Sequence, residues 1–293
     1  NGVPLQGVTV EVGTHKFITD KDGIFYFSKI STPQNATLIT ATKSYYMNGY
    51  RTLSVTPNKD QYTKIMMIEL KNASTFNALS GGIINVNGGG SITFPSSGIV
   101  NKNTGAPYNG VVTVYSKWLD PSNEAVSKLM PGDLRGLDQE NIEKVLQTYG
   151  MMAVELFDQS NNPLQIASGK TAQLSFPIPV GISSNAPATI PLWYFDATRG
   201  MWREEGSATR QGNNYVGDVK HFSFWNCDIP TNYMKLSGCV GNETGTALQG
   251  MKIVITSSNF GNGYAFSDSK GLFGGYVPAN EQLTIKIFDQ CET

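Results

Sequence analysis

The two ends of this chain repeat each other. Near the start stands Pro4-Leu5-Gln6-Gly7-Val8-Thr9-Val10-Glu11-Val12, and near the end Ala247-Leu248-Gln249-Gly250-Met251-Lys252-Ile253-Val254-Ile255. Each stretch runs on to a second turn, Thr19-Asp20-Lys21-Asp22-Gly23-Ile24-Phe25 in one and Ser267-Asp268-Ser269-Lys270-Gly271-Leu272-Phe273 in the other. Such self-similarity marks one supersecondary unit used twice. Val8, Val10 and Val12 alternate with polar residues, as a half-buried strand requires. Asp22-Gly23 supplies a turn that tolerates positive φ, and Phe25 and Phe27 alternate inward on the strand expected next. A unit of this kind hides its apolar face only against a second sheet.

The rest of the composition agrees. The chain has 31 Gly, 14 Pro, 13 Tyr and 14 Phe but only 15% charged residues, which reads as many short strands joined by tight turns. Its 293 residues suggest two or three domains of ordinary size. We therefore expect an all-β chain of tandem β-sandwich modules, Ig-like or transthyretin-like, with at most one or two short helices. The expected modules are 1–71, 72–230 and 231–293. Ile229-Pro230-Thr231 is a linker and the region from Asn72 to Leu79 a softer boundary, both short enough for rigid packing. The opening Asn1-Gly2-Val3-Pro4 reads as the middle of a module whose first strand is missing, with a targeting segment removed upstream. Net charge is −1 with no block of Lys or Arg, so no electrostatic footprint for nucleic acid or an anionic membrane is present. No apolar run approaches membrane-spanning length, which leaves a lipid anchor upstream as the open route to a membrane.

The two end units resemble the carboxypeptidase regulatory-like domain, whose pattern is G-x-P-L-x-G-V-x-V followed by T-D-x-x-G-x-F. The C-terminal copy departs from it where Ala247 replaces the proline. The resemblance implies a small transthyretin-like sandwich that serves as a non-catalytic accessory to other domains. In the middle, strands are expected at Gly81-Gly82-Ile83-Ile84, Ser91 to Pro95, Val111 to Tyr115, Met151 to Phe157 and Thr171 to Phe176. Asp120-Pro121-Ser122-Asn123-Glu124 predicts a helix start with Asp120 as cap and Pro121 at the first position, stopped by Pro131-Gly132. The Gly-Gly before a strand, Ile92-Thr93-Phe94-Pro95 and Val219-Lys220-His221-Phe222-Ser223 resemble the β-sandwich shared by netrin receptors, tight-junction scaffolds and ankyrins. Leu192-Trp193-Tyr194-Phe195, Trp202-Arg203-Glu204-Glu205-Gly206 and the run from His221 to Asp228 are similar to the cartilage intermediate layer proteins and related bacterial surface proteins. These resemblances imply an extracellular, cell-surface or periplasmic location.

Few motifs carry chemistry. Ser168-Gly169-Lys170-Thr171 imitates the end of a phosphate-binding loop, but Leu164 stands where that loop needs glycine, and a strand follows instead of a helix. Asp20-Lys21-Asp22-Gly23 imitates a calcium loop, but Ile18 and Lys29 fall where oxygen ligands belong. His15 and His221 are the only histidines and no cysteine pair has ligand spacing, so we expect no zinc site. Glu204 and Glu205 are adjacent in a strand and point to opposite faces, so they cannot jointly flank a bond. We expect no cofactor and no enzymatic turnover.

Three candidate sites remain. His221-Phe222-Ser223 matches the tripeptide at which some relatives of this sandwich cleave themselves, including the function-to-find domains of inflammasome sensors. Ser223 Oγ would attack the Phe222 carbonyl, forming an ester by N-to-O acyl shift, with His221 as base. Alternatively the run is a plain alternating strand that buries Phe222 and Phe224 on one face and exposes His221 and Ser223 on the other. Trp193, Tyr194, Trp202 and Trp225 could form a sugar-stacking platform or simply pack a core. Three cysteines, Cys227, Cys239 and Cys291, permit at most one internal disulfide. Cys239 and Cys291, near the ends of one module, are the favoured pair, with three reduced thiols as the alternative. The leading functional expectation is a non-catalytic adhesion or scaffold component, with a protein or glycan at the cell surface as partner. A self-cleaving surface protein and a carbohydrate-binding protein are the alternatives.

Overall fold

The computed structural model describes residues 2–55, 57, 60–123, 125–258 and 261–289. The chain is all-β, built of antiparallel sheets that pack as sandwich modules, with one short α-helix and one 3-10 helix among the described residues. At the N-terminus β1 (Thr9–Val12), β2 (His15–Ile18), β3 (Thr37–Thr42) and β4 (Gly49–Leu53) form a sheet in the order β2-β1-β3-β4. The alternation read from the sequence places Val8, Val10 and Val12 inside, against Ile39 and Ala41.

The middle of the chain contributes thirteen strands to one continuous sheet. They are β5 (Ser74–Asn77), β6 (Gly82–Asn85), β7 (Ser91–Phe94), β8 (Ile99–Asn101), β9 (Val111–Leu119), β10 (Arg135–Leu137), β11 (Glu143–Phe157), β12 (Pro163–Ile166), β13 (Ala172–Pro177), β14 (Thr189–Asp196), β15 (Met201–Gln211), β16 (Asn214–Val219) and β17 (Phe224–Thr231). The main path runs β5-β9-β11-β17-β14-β15-β16-β13-β7-β6. Its two ends meet again, because β5 and β6 are joined by a tight turn closed by an Asn77–Gly81 bridge. Gly81 has φ +66°, and a Cβ there would stand 2.4 Å from the Phe94 carbonyl oxygen, so this turn requires glycine. The sheet thus folds over an inner core that includes Ile92, Leu174, Phe176, Leu192, Trp225 and Cys227.

A second core lies on the outer face of β11, β14 and β17. Met151, Ala153, Trp193, Phe195, Trp202 and Phe224 are covered there by the 120–134 connection and by Met47 and Ile68 of the N-terminal part. The helix in that connection, α1 (Val126–Leu129), starts later than its sequence suggests, and no side chain caps it. Asp120 Oδ1 instead accepts from Ser122 N at 2.9 Å and Ser122 Oγ at 2.7 Å. The carboxylate that would cap a helix is consumed by an Asx turn.

At the C-terminus β18 (Tyr233–Cys239) pairs with β21 (Leu272–Pro278), and β19 (Lys252–Ser257), β20 (Gly261–Phe266) and β22 (Leu283–Phe288) form the sheet β20-β19-β22. The repeat is reproduced bond for bond. Thr19 Oγ1 accepts from Val8 N at 2.9 Å and donates to Leu5 O at 2.6 Å; Ser267 Oγ accepts from Met251 N at 2.9 Å and donates to Leu248 O at 2.6 Å. Asp20 Oδ1 accepts from Asp22 N and Ile24 N, as Asp268 Oδ1 does from Lys270 N and Leu272 N. Gly7 and Gly23 each have φ +71°, against +75° and +71° at Gly250 and Gly271. One expectation fails here. Phe25 and Phe27 do pack inward on the N-terminal core, yet their segment is not a strand, and among the described residues no strand pairs with it as β18 pairs with β21.

Arg135 ties the three parts of the chain together. Its side chain is buried, with Nε 2.8 Å from Asp133 Oδ2 and Nη1 3.2 Å from Glu143 Oε1. Its Nη2 donates to Asn35 O at 2.6 Å in the N-terminal part, and the guanidinium lies 4.6 Å from the Tyr276 ring centroid in β21. Arg51 reinforces the first junction by donating to Gly132 O at 3.1 Å and Lys128 O at 3.2 Å.

Candidate functional site

His221, Phe222 and Ser223 lie on a bend between β16 and β17, not on an alternating strand. The bend sends the two phenylalanines to opposite faces. Phe222 enters the inner core, with its ring centroid 5.5 Å from that of Phe94, whereas Phe224 joins the outer core. The expectation that both share one face is thereby corrected.

The peptide at Phe222 is held by one side chain. Gln165 on β12 accepts from Phe222 N at 2.7 Å through Oε1 and donates to Phe222 O at 3.1 Å through Nε2. Ser223 O accepts from Val154 N at 3.3 Å, and Ser223 Oγ donates to Phe224 O at 3.1 Å. His221 is turned to another neighbourhood. Its ring centroid is 4.7 Å from that of Tyr194 and 5.0 Å from that of Trp225, and its Nε2 lies 4.0 Å from Glu205 Oε2. Burial pulls the imidazole below its usual range, opposed by the Glu205 carboxylate.

Ser223 instead faces a cleft of about 660 Å³ between the N-terminal part and the middle sheet, shared with Gln165, Glu155, Tyr50, Tyr115 and Phe224. Glu155 is raised to about 7 by burial, opposed by the positive charge of Lys102. The cleft thus combines a hydroxyl next to a carbonyl, an amide donor on that carbonyl and a carboxyl that titrates near neutrality. Sequence reasoning named Ser223 but missed both Gln165 and Glu155. Glu155 left a signal as the one acid within Met151-Met152-Ala153-Val154-Glu155-Leu156-Phe157. Gln165 left none.

The aromatic candidates do not form a platform. Trp193, Trp202 and Trp225 have no exposed surface, and Tyr194 is half-buried. Trp193 donates to Asp228 O at 3.1 Å from the outer core, while Trp225 belongs to the inner core and donates to His221 O at 2.8 Å. A sugar ring needs an exposed face to stack on, and these three residues spend theirs on packing. Cys227 is buried, and burial pushes its thiol up. Cys239 is exposed, and its expected partner Cys291 lies outside the described residues.

A buried polar cluster adjoins the outer core. Thr148 Oγ1 donates to Asn226 Oδ1 at 2.7 Å, and Asn226 Nδ2 donates to Asp228 Oδ2 at 2.6 Å. Burial raises the Asp228 carboxyl well above its usual range. Among the described residues no group of three or more His, Cys, Asp and Glu could hold a metal ion, and no helix is long and apolar enough to cross a membrane.

An all-β chain of sandwich modules with a clefted bend before a long core strand is the class that these features define. No family model and no solved structure matches the chain. It is similar to cartilage intermediate layer protein 1 of Mus musculus, with 26% identity over 218 residues that cover 70% of this chain and 18% of that protein. Cartilage intermediate layer protein 1 of Sus scrofa is 29% identical over 117 residues, covering 40% of this chain and 19% of the relative. Cartilage intermediate layer protein 2 of Mus musculus is 34% identical over 116 residues, covering 37% of this chain and 9% of the relative. The chain thus spans less than a fifth of the length of these curated relatives.

Proposed function

We propose that the chain is a non-catalytic adhesion or scaffold component acting outside the cell, with a surface protein as its partner. The observation that carries this reading is the Arg135 junction, whose contacts reach the N-terminal, middle and C-terminal sheets, as a spacer or scaffold needs. The similarity to proteins named for a layer of cartilage supports an extracellular role. In this reading the modules are 1–71, 72–230 and 231–293. The end units are of the carboxypeptidase regulatory-like kind, and the chain comes from an exported bacterial surface protein, anchored by lipid or free in the periplasm. Photo-cross-linking on intact cells of the source tests it. Adducts with exposed surface proteins are expected; adducts confined to cytoplasmic proteins would sink it.

A second reading has its own observation. The Gln165 amide already donates to the Phe222 carbonyl, where negative charge would develop if Ser223 Oγ attacked that carbon. The product of attack is an ester that water hydrolyses, releasing a chain ending at Phe222 from one beginning at Ser223. In this reading Glu155, not His221, is the base on the Ser223 side of the bend. Intact mass under denaturing conditions separates the readings. A single species of 31.8 kDa supports the plain scaffold, and two fragments split after Phe222, abolished by Ser223→Ala, support self-cleavage.

A further inference from the structure

Among the described residues Glu155 makes no hydrogen bond and no ion pair, and Lys102 offsets its charge only from a distance. The side chain lines the cleft between the N-terminal part and the middle sheet, whose walls are drawn wholly from residues between Lys43 and Phe224. A carboxyl held in this way is costly to ionise, and the group that would relieve it must come from outside the chain.

Aromatic rings stand around that carboxyl. Tyr115 is directly opposite Glu155 in the register of β9 and β11, so the two side chains share one face of the sheet. Phe157, two residues further along β11, points to the same face, and its ring centroid is 6.0 Å from that of Tyr115. Tyr50 reaches in from β4, and its hydroxyl accepts from Asn48 Nδ2 at 3.3 Å. Burial pushes the Tyr50 phenol up, opposed by the Asn48 bond and aided by the Glu155 charge. Tyr50, Tyr115 and Phe157 are each half-buried, so unlike the tryptophans they keep part of their rings open to the cleft. Tyr45 adds a ring at the exposed end of the cleft. It is 79% exposed and held at φ +67°, a backbone conformation rare for an aromatic residue.

We infer that this cleft binds a methylated ammonium group, with Glu155 as its counter-ion and the rings of Tyr50, Tyr115 and Phe157 as its walls. A cation against aromatic faces is attracted by their negative quadrupole, more strongly where water is excluded. Ring faces outnumber acceptors around Glu155. That suits an ammonium carrying methyl groups better than a primary one, whose three hydrogens each need an acceptor. The cleft, at about 660 Å³, has the size of a small-molecule site. Lys43 does not fill it, since its Nζ donates to Gln6 O at 2.8 Å. Besides Glu155, the titratable groups of the cleft are Tyr50 from β4, Tyr115 from β9, Lys43, Tyr45 and Tyr46 from the turn between β3 and β4, and Lys102 from the turn after β8. Glu155 is the carboxyl among them, so the cation draws its proton away and affinity rises with pH. The inference uses neither Ser223 nor Gln165 and does not rest on an extracellular location, so it survives if either functional reading fails.

The test is calorimetric titration of choline into the 293-residue chain. Saturable binding is expected at about pH 8 and about tenfold weaker binding at about pH 6, because the ionised, binding-competent fraction of Glu155 falls by that factor between them. The uncharged carbon isostere of choline and the primary amine ethanolamine should each bind about tenfold more weakly or worse. Glu155→Gln should weaken choline binding about tenfold at the higher pH and remove its pH dependence. Tyr115→Leu should weaken it at both pH values and keep the pH dependence. Co-sedimentation with phosphatidylcholine vesicles, lost in Glu155→Gln, would make a lipid head group the source of the ammonium; choline binding without co-sedimentation would make it a free solute. Absence of saturable binding at the higher pH, equal binding of the uncharged isostere, ethanolamine as tight as choline, or a Glu155→Gln chain that binds choline like the parent would overturn the inference.

Discussion

Glu155 responds to its surroundings in a way that solution conditions can reach. Burial keeps it protonated up to about pH 7 in the folded chain, whereas the ordinary carboxyl ionises near 4.5. The folded state therefore holds an extra proton between those values, and stability falls as pH rises from 4.5 to 7. Glu155→Gln stays neutral throughout. It should match the parent below pH 4.5 and exceed it above pH 7 by up to about 3 kcal/mol, as urea unfolding at the two extremes would read. Parallel pH curves for the two proteins would refute the burial argument. Gln165 makes a complementary case. Gln165→Ala strips partners from both the N–H and the C=O of Phe222 and should cost about 1–3 kcal/mol in chemical denaturation. These two residues also mark how far the sequence could be read at this scale. An acid in an apolar strand is an anomaly that one sequence displays. A glutamine that clamps a peptide 57 residues away is visible only after the strands have been placed.

At the scale of elements, the terminal repeat was readable because each turn is dictated locally: a glycine with positive φ, an Asp that bonds two and four residues ahead, a Thr or Ser that closes the hairpin. The strand alternation of Val8, Val10 and Val12 was readable for the same reason. The run from His221 to Phe224 has the composition of an alternating strand, one of its two readings, yet it forms a bend before β17. The bend comes from tertiary bonds of Gln165 and Val154 that no local pattern encodes. The tryptophans were ambiguous between surface and core until β14, β15 and β17 were seen with both faces covered. The helix start failed because an Asx turn and an N-cap compete for the same Asp120 oxygen. The repeat yields a paired prediction. Gly23→Ala and Gly271→Ala meet the same positive-φ cost of about 1–2 kcal/mol. At Gly271 the new methyl would also stand 2.2 Å from Val240 O, while at Gly23 its nearest neighbour is Leu5 N at 3.0 Å. Gly271→Ala should therefore be the more damaging of the two in thermal unfolding, and it should increase exchange in β18. Equal losses would mean that β18 does not constrain that turn.

At the scale of the whole molecule, sequence alone suggested places to divide the chain but could not show what joins its parts. The outer core takes Met47 and Ile68 from one side of the expected first boundary and Met151, Trp193 and Phe224 from the other. Arg135 reaches all three parts from a three-residue strand with no distinctive local pattern. Arg135→Met should leave Asp133 and Glu143 without their cation and cost about 3–5 kcal/mol. Calorimetry should then resolve separate transitions for the terminal sheets, and limited proteolysis should cut near Asn232; one unshifted transition would argue against the junction. The connection at Asn232 has a mechanical side. Only that residue separates β17 from β18, and β17 is laddered to β11 from Phe224 to Thr231. Tension applied to the C-terminal sheets would run along β17 and strain its ladder in shear, so that many bonds must slip together where a transverse pull would unzip them singly.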